Sequence, residues 1–174
     1  LRAILRASAG GHARILLPMV TTVEEVKRCR AVVDELKRDL AESGEPFDSA
    51  IELGTMVEVP ALAAILDKVL PLVDFVSVGT NDLVQYLLAV DRDNPRIAQM
   101  YNPSHPGVIR VLADIARAAR AAGRPVSICG EIAGDHYFTA LLIGLGYREL
   151  SMSPVFLPRV KLMARTFDVA ECER

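Results

Sequence analysis

Short apolar runs alternate along the chain with segments whose apolar positions recur every three or four residues. Arg14 to Val20 is too brief for a stable helix and reads as a strand covered on both faces. Val26, Cys29, Val33, Leu36 and Leu40 then share one helical face, and Thr21-Thr22 with Glu24 and Glu25 supplies a cap and an acidic first turn. Glu42 to Pro46 is a turn. A strand over Ile51 to Glu58 leads to Pro60, suited to the first helical position, and a helix is expected over Ala61 to Leu70. Strand Asp74 to Gly79 passes through Thr80-Asn-Asp82 into a helix at Leu83 to Ala89, and a polar loop, Asp91 to Arg96, interrupts the pattern. Pro106 opens a long helix that ends before Gly123, and strand Pro125 to Cys129 runs into a Gly-rich loop, Gly130 to Gly134. Helix Tyr137 to Leu145, strand Glu149 to Met152 and helix Leu157 to Thr166 complete the chain. The opening Leu1 to Ala9 also has helical spacing, with a stop at Gly10-Gly11.

Five strands, each followed by helical sequence, imply parallel pairing with right-handed crossovers and an α/β fold. A (β/α)8 barrel typically takes about 250 residues and eight strands. With 174 residues and five strands, either the sheet is open or three units of a barrel are missing. It opens on Leu1, so a start inside a larger protein is expected.

The 20 Lys+Arg against 22 Asp+Glu give a formal charge of −2, which argues against a nucleic-acid or polybasic membrane partner. Apolar runs such as Ala140 to Leu145 fall far short of the roughly 18 residues a membrane span needs. Cys29, Cys129 and Cys172 form no CxxC pair and supply neither a disulfide framework nor a zinc site. A cytoplasmic protein is the expectation that fits.

Ligands of parallel α/β folds lie beyond the carboxyl ends of the strands, so the residues found there matter most. Glu58 ends the second strand, Asn81-Asp82 the third, Cys129-Gly-Glu131 the fourth and Ser151-Met-Ser153 the fifth. Glu58 and Asp82 are hard oxygen donors suited to Mg²⁺, although a helix cap and a first-turn acid would look the same. Asn81 has an amide to donate to an anion, and Gly79 permits close backbone approach. Cys129 fits an acid or nucleophile, or an inert small hydrophobe. Arg92 fits a phosphate clamp, or a solvent pair with its neighbours Asp91 and Asp93. Glu131 is placed to hold the Cys129 loop by hydrogen bonding. His12, His105 and His136 have no metal-site spacing.

Three stretches are recognisable together: Gly54-Thr-Met-Val-Glu-Val-Pro60, Ser77-Val-Gly-Thr-Asn-Asp-Leu-Val-Gln-Tyr-Leu-Leu-Ala-Val-Asp-Arg92 and Cys129-Gly-Glu-Ile-Ala-Gly-Asp135. In this order and spacing the chain resembles the C-terminal phosphoenolpyruvate-binding barrel of enzyme I, the phosphoenolpyruvate-protein phosphotransferase family of the bacterial sugar phosphotransferase system. Ile15-Leu-Leu-Pro-Met-Val20 and Leu150-Ser-Met152 extend the likeness over nearly the whole chain, and Ile143-Gly-Leu-Gly-Tyr-Arg148 also resembles the nitrogen-related paralogue.

The resemblance implies a transferase that passes the phosphoryl group of phosphoenolpyruvate through an enzyme histidine to a histidine phosphocarrier protein, releasing pyruvate. Glu58 and Asp82 would hold Mg²⁺, Asn81, Asp82 and Arg92 would hold phosphoenolpyruvate, and Cys129 would protonate the pyruvate enolate at C3. It also implies a homodimer in the parent protein. The family's phosphohistidine domain and the early-strand phosphate-binding arginines have no counterpart here, and Arg2 and Arg6 on the first helix are not obvious replacements. The expectation from the resemblance is therefore a single incomplete α/β domain over 1–174, a partial (β/α)8 TIM-type barrel covering about the last five βα units, that does not complete turnover alone. Pyruvate phosphate dikinase or phosphoenolpyruvate synthase would share the Asn-Asp and Cys-Gly-Glu ends. A Mg²⁺-dependent lyase of the pyruvate-aldolase type would share Glu58 and Asp82 without needing Cys129, and a dimerisation platform is a third reading.

Overall fold

The computed structural model describes residues 1–173, so residue 174 of the expected domain lies outside the described residues. Helix α1 (Arg2–Ala7) precedes strand β1 (Arg14–Leu17), and α2 (Val23–Glu42) follows it. Then come β2 (Glu52–Val57), α3 (Pro60–Ala64), α4 (Leu66–Val69), β3 (Phe75–Gly79), α5 (Thr80–Leu88) and α6 (Pro106–Ala121). The last part holds β4 (Val126–Cys129), α7 (Glu131–Gly134), α8 (Thr139–Leu145), β5 (Glu149–Ser151), α9 (Leu157–Ala164) and α10 (Val169–Cys172).

All pairs in the five-stranded sheet are parallel, and the strands lie in sequence order, β1-β2-β3-β4-β5. Sequential order with right-handed crossovers places every connecting helix on one side, which is the arrangement of a barrel wall and not of a doubly wound sheet. The register makes the two faces explicit. Ile15, Leu17, Leu53, Val57, Val76, Val78 and Ile128 belong to the buried core shared with the helices. The opposite face carries Arg14, Glu52, Gly54, Ser77, Ser127, Cys129 and Ser151, small or polar groups suited to a barrel interior. There, Arg14 pairs with Glu52 at 2.7 Å and lies 5.2 Å from the centre of the Phe75 ring. Closure is not reached, because among the described residues β1 pairs only with β2 and β5 only with β4. No helix among the described residues is long and apolar enough to cross a membrane.

Several elements differ from their expected limits. The helix expected over Ala61 to Leu70 is two pieces, because Ile65 leaves helical geometry (φ −117, ψ 21). A 3-10 turn at Leu70–Leu72 containing Pro71 follows, and Leu62, Leu66, Val69 and Leu70 all stay buried. Helix α5 begins at Thr80, three residues earlier than expected, and the Gly130 to Gly134 loop contains the short α7. Cys172 lies in α10, which packs on α8 so closely that a side chain at Gly144 would collide with the Cys172 carbonyl.

The long helix α2 follows its sequence closely, with Val26, Val33 and Leu40 buried along one line. Its start is a capping box: Thr22 Oγ1 accepts from the Glu25 N–H, and the Glu25 carboxylate accepts from the N–H groups of Thr21 and Thr22 at 2.8 Å each. Those backbone bonds, Thr21 first, hold the Glu25 carboxyl down from 4.5 to about 2. A depressed carboxylate stabilises the fold above its unfolded pKa, and that contribution is lost as pH falls through the folded value. Glu25→Ala, which removes the carboxylate from the box, is expected to lower the melting temperature at pH 7 by about 2–5 °C, and the deficit should shrink between about pH 4.5 and 2. Thermal denaturation at both ends of that window checks it.

Candidate active site

Parallel pairing brings the reactive residues to one edge of the sheet. Gly79 at the end of β3 is the register partner of Cys129 at the end of β4, and Cys129 pairs in turn with Ser151. Glu58 follows β2 directly and is only 4% exposed. Its Oε1 accepts the N–H of Met19 at 2.6 Å, a residue turned into left-handed backbone at φ 53. A Cβ on Gly79 would stand 2.7 Å from Glu58 Oε2 and 2.9 Å from Met56 Sδ. Glycine is thus what makes room for the carboxylate over β3.

Among the described residues neither Glu58 nor Asp82 is in an ion pair. A buried carboxylate with one backbone partner and no counter-charge is costly unless a cation joins it. That donor chemistry fits a hard divalent ion. No cluster of three or more His, Cys, Asp or Glu occurs among the described residues, so substrate oxygens and water would complete the shell, as Mg²⁺ commonly accepts.

Cys129 is half-buried. Its thiol donates to the Val78 carbonyl at 3.3 Å and accepts from the Ser77 hydroxyl at 3.7 Å. Burial pushes the thiol pKa up; the Ser77 bond works against this, and the charges of Glu58 and Asp82 push it further up. The group is therefore held as the thiol, which suits proton donation better than nucleophilic attack.

Asn81 Oδ1 accepts the Glu131 N–H at 2.9 Å, and a backbone donor there fixes the amide so that its NH₂ remains free to meet an anion. Arg92 does not pair with Asp91 or Asp93. Its Nη1 lies 3.3 Å from Glu131 Oε1, while Asp91 instead accepts the Asp93 N–H in a local turn. The Arg92 and Glu131 side chains are 33% and 73% exposed, so their contact is a weak surface pair that an incoming phosphate can displace. A cleft of about 260 Å³ is lined by Asn81, Cys129, Glu131, Ser151, Ser153 and Phe156.

The structure also draws in residues that the sequence reading passed over. Thr80 Oγ1 donates to the Cys129 carbonyl at 2.7 Å, and the Tyr101 hydroxyl donates to the Asn81 carbonyl at 3.4 Å. Tyr101 comes from the turn after Asp91 to Arg96, and nothing in its spacing marks it. Burial raises its hydroxyl pKa, and the charges of Glu131, Arg92 and Asp82 also act on it, which places it beside the site. His105 Nδ1 accepts the Gly107 N–H at 3.1 Å and caps α6, whereas His136 lies tilted against Tyr137 in a neighbouring cleft that shares Glu131 and Phe156 with the site. Arg2 and Arg6 are engaged with Asp39 and Glu45, away from the strand ends. A cleft of about 370 Å³ lined mainly by apolar residues such as Leu17, Met19 and Val32 also borders Glu25, Arg28 and Cys29, with the Glu25 carboxylate committed to the cap of α2.

Residues 1–169 match the family described as PEP-utilising enzyme, PEP-binding domain. The chain is 44% identical over 173 residues to phosphoenolpyruvate-protein phosphotransferase of Haemophilus influenzae, covering 99% of this chain and 30% of that protein. It is 45% identical over 174 residues to the protein of the same name from Cupriavidus necator, covering 100% and 29%. A phosphoenolpyruvate-dependent phosphotransferase system protein of Escherichia coli is 46% identical over 173 residues, with 99% and 23% covered. The chain thus spans less than a third of the length of these relatives. Among solved structures, a citrate lyase from Burkholderia xenovorans superposes with a TM-score of 0.68 at 23% identity, covering 96% of this chain and 53% of that one. A pyruvate kinase from Cryptosporidium parvum gives 0.63 at 16% identity, covering 99% and 34%. At those identities the likeness is one of fold, and it agrees with the barrel-wall order of the sheet. With 1–169 spanned by the family pattern, the chain belongs to the PEP-utilising enzymes as their PEP-binding domain.

Proposed function

We propose that the chain is the phosphoenolpyruvate-binding part of a longer, cytoplasmic phosphoenolpyruvate-protein phosphotransferase, forming one incomplete barrel domain over 1–174. The observation that carries this reading is the convergence of Glu58, Asn81, Asp82 and Cys129 on the ends of three adjacent parallel strands. Coverage of less than a third of each of these relatives and two sheet edges that are unpaired among the described residues support a larger whole.

In this reading the Asn81 amide and the Arg92 guanidinium bind the anionic oxygens of phosphoenolpyruvate. Glu58 and Asp82 are the residues that would hold Mg²⁺, which when bound supplies charge neutralisation at the substrate oxygens. The phosphoryl group leaves for a histidine elsewhere in the longer protein and passes from there to a histidine phosphocarrier protein. The bond broken is that between phosphorus and the enol oxygen, so the enolate of pyruvate remains. Cys129 gives its thiol proton to C3, producing the keto acid, and the thiolate regains a proton from water. The parent is read as a homodimer, and the chain by itself is not expected to complete turnover.

Calorimetric titration with phosphoenolpyruvate tests the site directly. Binding is expected with Mg²⁺ and not without it, and Asp82→Ala should weaken it by at least roughly tenfold. Binding that ignores Mg²⁺ or survives Asp82→Ala refutes the roles of Glu58 and Asp82. A folded chain that takes up no ligand in either condition refutes the reading that these loops bind by themselves.

A further inference from the structure

We propose that Thr80 is a positioning residue: its hydroxyl, with the Asn81 amide oxygen beside it, latches the Cys129 loop to the start of α5 and sets the spacing between proton donor and anion-binding groups. The inference rests on the reading of Cys129 as the acid. The β3–β4 ladder ends with the Gly79 and Cys129 pair, so beyond that point backbone pairing no longer holds the two chains together. Two side-chain bonds take over. Thr80 Oγ1 donates to the Cys129 carbonyl at 2.7 Å, and Asn81 Oδ1 accepts from the Glu131 N–H at 2.9 Å. They bracket Gly130, whose φ of 102 and ψ of −171 turn the chain sharply into α7.

Thr80 is 0% exposed, and it is the first residue of α5, after the N-cap Gly79, so its hydroxyl does not occupy the capping position; it donates to the Cys129 carbonyl. A buried hydroxyl aimed across to the neighbouring strand end has one service to perform here, which is to satisfy and fix the carbonyl of Cys129. Because Thr80, Asn81 and Asp82 are consecutive, a single helix start carries the latch, the anion donor and a carboxylate. The position of the thiol is thereby referred to the same rigid element as the groups that face the substrate. Displacements near 1 Å at such a site cost on the order of 10²-fold in rate, so the latch has a catalytic consequence without touching substrate.

The test is a time course of iodoacetamide labelling at fixed pH, with each cysteine followed separately by mass spectrometry. In Thr80→Val, which keeps the shape and removes the donor, Cys129 is expected to label roughly tenfold faster. Thr80→Ser should return it to within about twofold of the unaltered chain, and Cys29 and Cys172 should label at the same rates in all three proteins. Unchanged Cys129 labelling in Thr80→Val overturns the proposal, as does equal acceleration of all three cysteines, which is the mark of general loosening. If Thr80→Val does not fold, Thr80→Ala is read by the same criteria. Protection of Cys129 by phosphoenolpyruvate with Mg²⁺ tests the underlying reading separately. Loss of protection alone counts against Cys129 as the acid, whereas protection with no effect of Thr80→Val counts against the latch.

Discussion

On the proposed reading, Cys129→Ala in the full-length phosphotransferase is expected to leave the KM for phosphoenolpyruvate within about twofold and to lower kcat by at least ~100-fold. A positioned general acid contributes on the order of 10²–10⁴ in rate, and among the described residues no second thiol lies at the strand ends. Substrate contacts come from other residues, so binding should survive. Cys129→Ser should be nearly as slow, because an alcohol occupies the same place but is a far weaker acid. The pH profile carries a sign as well. Burial raises the thiol pKa, so the protonated form persists above the ordinary range of a free thiol; a Mg²⁺ held by Glu58 and Asp82 would cancel the push from those two carboxylates. The alkaline limb of kcat should therefore fall at higher pH than a free cysteine would dictate, and no acidic limb should trace to Cys129. Steady-state pyruvate formation across pH measures both. Turnover that survives Cys129→Ala would favour the lyase-type chemistry, which needs Glu58 and Asp82 but no thiol.

Much of the architecture was legible because it depends on periodicity. The apolar face of α2 appears in the sequence as Val26, Cys29, Val33, Leu36 and Leu40; Val26, Val33 and Leu40 are buried, and Cys29 and Leu36 are partly buried against the same core. The strands were recognisable as brief apolar runs, and their ends named the candidate residues, since a parallel sheet sends every carboxyl end to one edge. Contacts between distant segments were not legible. The N–H that Glu58 binds belongs to Met19, 39 residues away, and depends on a left-handed turn at a residue whose type does not announce it. Arg92 has acidic neighbours on both sides, yet its partner is Glu131, because the turn at Asp91 consumes the nearest carboxylate internally. Thr80 read as loop since Gly-Thr-Asn-Asp is ordinary capping sequence; only the strand beside it shows that its hydroxyl reaches outward. The break at Ile65 left no mark in composition, as the apolar spacing runs through it undisturbed.

A large loss of stability from a single methyl group is expected at Gly130. Its backbone lies at φ 102 and ψ −171, a region that is essentially restricted to glycine and costs other residues about 1–3 kcal/mol. An added Cβ would also run into the Thr80 hydroxyl and stand 2.8 Å from Asn81 Oδ1, both already committed to hydrogen bonds. Relief by moving Thr80 would strip the Cys129 carbonyl of its donor, and relief by moving Asn81 would expose the Glu131 N–H. Crowding of this kind adds about 1–3 kcal/mol. The two costs overlap, because one backbone adjustment eases both, so Gly130→Ala should lose about 3 kcal/mol in urea unfolding with an unchanged m-value. Gly123 provides the control. It too has positive φ, at 64, but nothing lies within 4 Å of its Cβ position, so Gly123→Ala bears conformational strain alone. Its expected loss is about 1 kcal/mol, and equal losses at the two positions would show that backbone strain, and not the contact with Thr80 and Asn81, governs the Gly130 turn.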